Sequence, residues 1–164
     1  MSETKKYEGG CYCGKVRYEA AGPVQFSLAC HCSICRRLHG SSFGSPVTFF
    51  EPGDFRFTAG EDSLREFQSP MKYSRCFCGE CGTRVTIGFE KSEIDFPVIG
   101  VYTTGIDEVK QSGVLSGEFV PTHHTFYADR TYDVLDGKPK YADMPAETGG
   151  SGKMLDDLGN PIDA

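Results

Sequence analysis

Apolar residues fall on alternate positions in short runs along this chain, and the runs are separated by glycine, proline and acidic turns. Lys15–Ala20 sets Val16 and Tyr18 against charged neighbours, the pattern of a half-buried strand, and Gly22-Pro23 breaks it. Val24–Ala29 is a second strand that delivers Cys30. Residues 33–39 fit one or two turns of helix, ended by Gly40. Ser45–Phe50 is apolar and β-branched, and Glu51-Pro52-Gly53 turns it. Asp54–Thr58 alternates Phe55 and Phe57 with polar residues, Leu64–Gln68 follows, and the AGEDS loop between them predicts a hairpin. Met71–Phe77, Arg84–Phe89 and Phe96–Tyr102 read as further strands, Ile106–Gln111 as a short helix, and Glu118–Ala128 as the last strand. About nine short strands with little helix define a mainly β chain of antiparallel sheets.

The ends differ from the middle. Residues 1–8 read as a flexible arm, residues 9–141 as one domain, and residues 142–164 as a polar C-terminal tail rich in Gly, Pro and Asp, ordered only against a partner. One domain of this size can bury a real core.

Charge and composition narrow the function. The formal net charge is −6, which argues against a nucleic-acid partner and against an acidic membrane surface. No apolar run reaches the length of a membrane span, and the MSETKKYEGG start has no signal-peptide character, so a soluble cytoplasmic protein is expected. There is no glycine-rich nucleotide fingerprint and no Ser-His-Asp arrangement.

The eight cysteines change the picture most. They are spaced C-x-C, C-x-C-x₂-C and C-x-C-x₂-C, too close to bridge one another well and well suited to hold metal. In a reducing cytosol that spacing means zinc. One partition gives Cys11, Cys13, Cys78 and Cys81 to a first ion and Cys30, Cys32 and Cys35 to a second, with Cys76 left over. The first ion would then staple the N-terminal segment to the middle of the chain. Three protein ligands leave a fourth position for substrate, the pattern of a catalytic zinc; the rival partition adds Cys76 and closes the second site. Cys76 otherwise reads as an inert thiol on a strand. His31, between two ligands, points away from the metal if that segment is extended and suits a packing or hydrogen-bonding role; His39 is within reach of the ion. His123 and His124 face opposite sides of their strand, so one of them looks inward. Arg36 and Arg37 set positive charge beside the second cluster.

GGCYCGKVRY, CHCSICRRLHGS and RCFCGECGT, in that order, resemble the glutathione-dependent formaldehyde-activating enzyme family, which also includes centromere protein V. The resemblance spans about residues 9–141. It implies a β-tent, antiparallel sheets organised around zinc. It also implies two zinc ions: a structural one on Cys11, Cys13, Cys78 and Cys81, and a catalytic one on Cys30, Cys32 and Cys35. It places Cys76 at a variable position, and Pro121 and His124 on a P-x-x-H motif. The chain departs from the family in having no tryptophan and in reading TYDVLDGKPKY near its end.

The activity implied is that of a carbon–sulfur lyase acting on a small thiol and an aldehyde: addition of the glutathione thiol to formaldehyde, giving S-hydroxymethylglutathione. Arg36, Arg37, Ser41 and Ser42 are the residues placed to hold the carboxylates and amides of glutathione. Two alternatives stand beside it: a zinc enzyme of the same fold acting on another small electrophile, and a non-catalytic zinc-stabilised binding module.

Overall fold

The structure, a computed structural model, describes residues 5–69, 73–89 and 98–162. In chain order the strands and helices are β1 (Lys6–Gly10), β2 (Arg17–Ala21), β3 (Phe26–Cys30), α1 (Ser33–His39), β4 (Ser45–Phe50), β5 (Phe55–Ala59), β6 (Leu64–Gln68), β7 (Tyr73–Cys78), β8 (Arg84–Phe89), β9 (Ile99–Tyr102), α2 (Asp107–Ser112), β10 (His123–Thr125), β11 (Lys140–Tyr141) and β12 (Met154–Leu155). The protein is mainly β, as the alternation predicts. The chain forms two compact units. The first holds Thr48–Phe119 and the residues up to Phe26; the second holds Ser27–Val47 and the residues from Val120.

In the first unit β1, β2 and β5 make one antiparallel sheet, with Tyr7 opposite Ala20 and Tyr18 opposite Phe57. β6, β7, β8 and β9 lie side by side, also antiparallel. The core of this unit gathers Tyr7, Val16, Tyr18, Phe50, Val85, Val101, Ile106 and Phe119 with two cysteines, Cys11 and Cys78. Lys6–Glu8, assigned above to a loose arm, are strand, because Tyr7 is buried and its ring packs on Phe50 and Phe119. The expected β5–β6 hairpin does not form. β5 pairs with β2 and β6 with β7. The turn between them starts at Gly60 (φ +70°), and its Ser63 carbonyl accepts from Gly79 N at 2.8 Å, handing the chain to the other sheet.

In the second unit β10 runs parallel to β3, with His124 beside Ala29 and Thr125 beside Cys30. β11 lies parallel on the other side of β10, and β12 pairs antiparallel with β11. The long last strand expected over Glu118–Ala128 is only three residues. Tyr127–Asp129 forms a 3-10 turn after Phe126, which takes a positive φ of 54°. The segment read as a polar tail carries β12, whose Leu155 is buried. It is fastened by Ala142 N to Lys153 O at 2.8 Å, and a tight turn forms where Asp156 accepts from Leu158 N and Asn160 N. Polar composition hid this order, since side chain-to-backbone bonds replace apolar packing there.

Candidate metal centres and the buried network behind one of them

Two sets of thiols converge, one in each unit. Cys11, Cys13, Cys78 and Cys81 have sulfurs within 4.8 Å of one another, and so do Cys30, Cys32 and Cys35. The spacing suits zinc: a sulfur about 2.3 Å from the ion in a tetrahedron lies roughly 3.8 Å from the next sulfur. In the first set Cys11 and Cys13 are 3.5 Å apart and Cys13 and Cys78 3.8 Å apart.

Backbone turns present the first four sulfurs. Cys11 follows β1, and its sulfur accepts from Val16 N at 3.2 Å. Cys78 closes β7, and a turn through Cys81 returns with Gly82 N donating to Cys78 O at 2.9 Å. Gly14 and Gly82 both take positive φ after the second cysteine of each pair, where a Cβ would strain the turn. Thr83 ties the two turns together, since its hydroxyl accepts from Tyr12 N at 3.1 Å and lies 3.2 Å from Cys81 Sγ. That hydroxyl is the main cause holding the Cys81 thiol down to about 6.

The second set lies in six consecutive residues. Cys30 ends β3. Cys32 caps α1, its sulfur accepting from Cys35 N at 3.2 Å, and Cys35 is in the first turn. α1 ends at Gly40 in the left-handed region, the stop that the sequence signals. Crowding makes the thiols share protons: hydrogen bonds from Cys30 and then Cys35 hold Cys32 toward thiolate, and the same contact pushes Cys30 up. No fourth Cys, His, Asp or Glu ligand atom joins this set among the described residues, so neither His39 nor Cys76 belongs to it. Cys76 sits half-buried on β7 with Ser74 Oγ 3.9 Å from its sulfur.

The residues expected to hold glutathione are placed unequally. Arg36 is half-buried and donates Nε to His31 O at 3.0 Å, so it braces the cysteine segment. Arg37 is exposed. Ser41 bonds within its own turn, to Phe43 O and from Phe43 N, both at 3.1 Å. Ser42 is exposed, its carbonyl accepting from Thr131 Oγ1, and Phe43 stacks on Tyr132 at 4.9 Å.

Behind the second set lies a network the sequence shows only in part. His31 is 1% exposed, its ring turned to the protein interior. Its Nε2 lies 2.8 Å from His124 Nδ1, and His124 Nε2 lies 2.9 Å from Asp136 Oδ2. An ionised carboxylate only accepts, so His124 carries its proton on Nε2 and His31 donates from Nε2. Asp136 Oδ1 accepts from Lys140 Nζ at 2.7 Å, and Lys140 Nζ reaches Asp157 Oδ1 at 2.6 Å. The Lys140 side chain is fully buried. Burial lowers its pKa, but Asp136 and Asp157 outweigh burial and hold it charged. Burial likewise raises Asp136, and Lys140 with His124 more than reverse this. Burial pushes His31 down to about 4 and lowers His124 against the pull of Asp136, so both rings are neutral at pH 7. Sequence reasoning gave His31 a packing or hydrogen-bonding role and had one of His123 and His124 look inward; the buried one is His124. That reasoning missed Asp136, Lys140 and Asp157, which lie in a stretch without apolar periodicity.

Comparison with known proteins decides the family. The family model described as "Glutathione-dependent formaldehyde-activating enzyme" matches residues 6–129. The chain belongs to that family. As a member of the glutathione-dependent formaldehyde-activating enzymes, it carries both thiol sets inside the matched span, whereas Asp136, Lys140 and Asp157 lie beyond it. A crystal structure of a Rhodobacter sphaeroides protein is similar to this family member in fold, with a TM-score of 0.51 and 22% identity, covering 65% of this chain and 95% of that one. No helix among the described residues is long and apolar enough to cross a membrane.

Proposed function

We propose that this protein is a carbon–sulfur lyase of the formaldehyde-activating type, joining the glutathione thiol to formaldehyde with zinc at Cys30, Cys32 and Cys35. A second, structural zinc is held by Cys11, Cys13, Cys78 and Cys81. The observation that carries the reading is the Cys30–Cys32–Cys35 set itself: three converging thiols with no fourth ligand atom beside them among the described residues. Three thiolates suit an ion that keeps one position for an outside ligand. When bound there, zinc would supply the positive charge that keeps a thiol ionised near neutral pH. Residues 30–42 contain no Asp or Glu, so a hydrolytic reaction would lack a carboxylate base in this segment. A thiolate is already the nucleophile.

In the reaction the glutathione sulfur bonds to the formaldehyde carbon, the carbonyl π pair moves to oxygen, and the thiol proton ends on that oxygen. The chain's own residues hold and orient. Cys30, Cys32 and Cys35 fix the metal. Arg36 braces His31 O and so the ligand segment. Arg37, Ser41 and Ser42 are assigned to the glutathione carboxylates and amides. Because Arg37 is exposed, Arg37→Ala is expected to weaken binding by only about 0–1 kcal/mol. We assign the protein to the cytoplasm, where thiols stay reduced and small-molecule thiol is abundant.

The test is calorimetric titration of protein holding two zinc ions with glutathione and with S-methylglutathione. The free thiol is expected to bind at least about tenfold more tightly, because a thioether cannot ionise. Equal affinities would show that sulfur does not meet the metal, and the proposal would fail.

A further inference from the structure

Between the two ligands Cys30 and Cys32 stands a residue held at every polar handle but one. His31 N donates to Thr125 O at 2.9 Å, and His31 O accepts from Arg36 Nε at 3.0 Å. Its ring bonds His124 through Nε2, meets Tyr127 edge-on at 5.0 Å, and packs so closely on Gly44 that a Cβ there would lie 2.6 Å from Nε2. Two cysteines flanking a clamped residue have little freedom in where their sulfurs point.

The clamp is anchored in the last thirty or so residues, which form their own turns and strands. His124 is fixed by Asp136, Asp136 by Lys140, and Lys140 by Asp157. Register supports this order, since His124 and Lys140 are neighbours on the parallel strands β10 and β11. Tyr127 provides a second route: its hydroxyl donates to Asp157 O at 2.8 Å and accepts from Val134 N at 2.7 Å. Both routes therefore end at Asp157, and the Asp156 turn holds that residue in place by accepting from Leu158 N, Asn160 N and Asn160 Nδ2. A buried lysine between two carboxylates is costly to assemble, and breaking it leaves an uncompensated buried charge. Such a chain transmits position through its centre, because the Lys140 side chain is cut off from water while its two carboxylate partners, 32% and 34% exposed, sit at the edge.

We infer that Asp136, Lys140 and Asp157 are positioning residues of the Cys30–Cys32–Cys35 centre. Through His124, Tyr127 and His31, the C-terminal segment sets the geometry of the ligand loop. The inference rests on the reading of that thiol set as a zinc site. It gives residues outside the family-matched span a part in the site: they hold the ligands and do not touch substrate.

The experiment measures zinc release from the full-length two-zinc protein into excess of a chromogenic chelator, phase by phase. Cys32→Ala identifies the phase that belongs to the second set. In Asp136→Asn, which keeps size and shape, and in the more peripheral Asp157→Asn, that phase is expected to quicken at least about tenfold, the scale of effect of partners behind metal ligands. The other phase and the far-ultraviolet circular dichroism should not change. Cobalt-substituted protein should show the same selectivity, with altered visible bands from the second site alone. An unchanged second phase in both variants would overturn the inference. So would an equal quickening of both phases, the mark of general destabilisation. A wild-type protein that carries one zinc, with a content Cys32→Ala does not lower, would overturn the metal reading instead.

Discussion

Gly44→Ala tests the clamp at the His31 ring, whose Nε2 is the atom bonded to His124. The added Cβ would lie 2.6 Å from His31 Nε2, 2.9 Å from Cε1 and 3.0 Å from Cδ2, where ordinary contact begins at 3.4 Å. The ring must withdraw by about 0.8 Å, more than a 2.8 Å hydrogen bond absorbs before it passes the usual limit of roughly 3.2 Å. A mobile side chain would step aside at little cost, but His31 meets Tyr127 and His124 and has nowhere to go. Overpacking of this kind costs about 1–3 kcal/mol. Leaving the histidine pair unsatisfied adds about 1–3 kcal/mol. Taking about 3 kcal/mol for the sum, the melting temperature should fall by roughly 6–12 °C in a protein of this size. Gly44 does not occupy the left-handed region, so backbone strain contributes nothing. The assay is thermal melting of the zinc-loaded protein by circular dichroism, repeated in a His31→Ala background. With the ring gone, Gly44→Ala should be neutral or slightly stabilising, by up to about 1 kcal/mol, through the unfolded state. An equal loss in both backgrounds, or a wild-type melting temperature for Gly44→Ala alone, would refute the reasoning.

Two further outcomes are expected. Cys78→Ser should release one zinc equivalent, measured by atomic absorption, and unfold the first unit, because structural zinc can contribute about 10–16 kcal/mol to a small domain; a folded variant with full metal content would contradict it. Gly60→Ala should cost well over about 3 kcal/mol in a urea melt, since its Cβ would lie 2.0 Å from Lys15 O, whereas Gly113→Ala, also left-handed but with open space around it, should cost about 1–2 kcal/mol; similar losses would show that only the backbone angle matters.

The sequence was most informative about where strands lie. β4, β6 and β8 fall on the residues read as strands, although β4 is almost wholly buried and β6 mostly exposed, and α1 ends at the glycine that signals its stop. The cysteine spacing marked thiols that could share an ion but left Cys76 open, and among the described residues it joins neither set. Pairing was less legible. Phe55 and Phe57 announce a strand but not which neighbour it takes, and Tyr18, packed on Phe55 at 5.4 Å, decides that. The buried network was almost invisible. Lys140 looks like any surface lysine until Asp136 and Asp157 arrive from other turns, and no local pattern marks a charge that will be paired inside. Two-residue strands such as β11 and β12 are too short for alternation to register at all.

The placement of ligands along the chain has a consequence for synthesis. Cys30, Cys32 and Cys35 leave the ribosome almost together, and their sulfurs can meet as soon as six residues are free. Cys13 must wait for Cys78, 65 positions later. Closing that longer span costs roughly 2–3 kcal/mol more in chain entropy than closing a three-residue one. The set that is completed first is therefore also the first able to capture an ion, while the residues inferred to position it, through Asp157, are made later. A nascent chain passes through an interval in which it can be charged with metal and yet not be set.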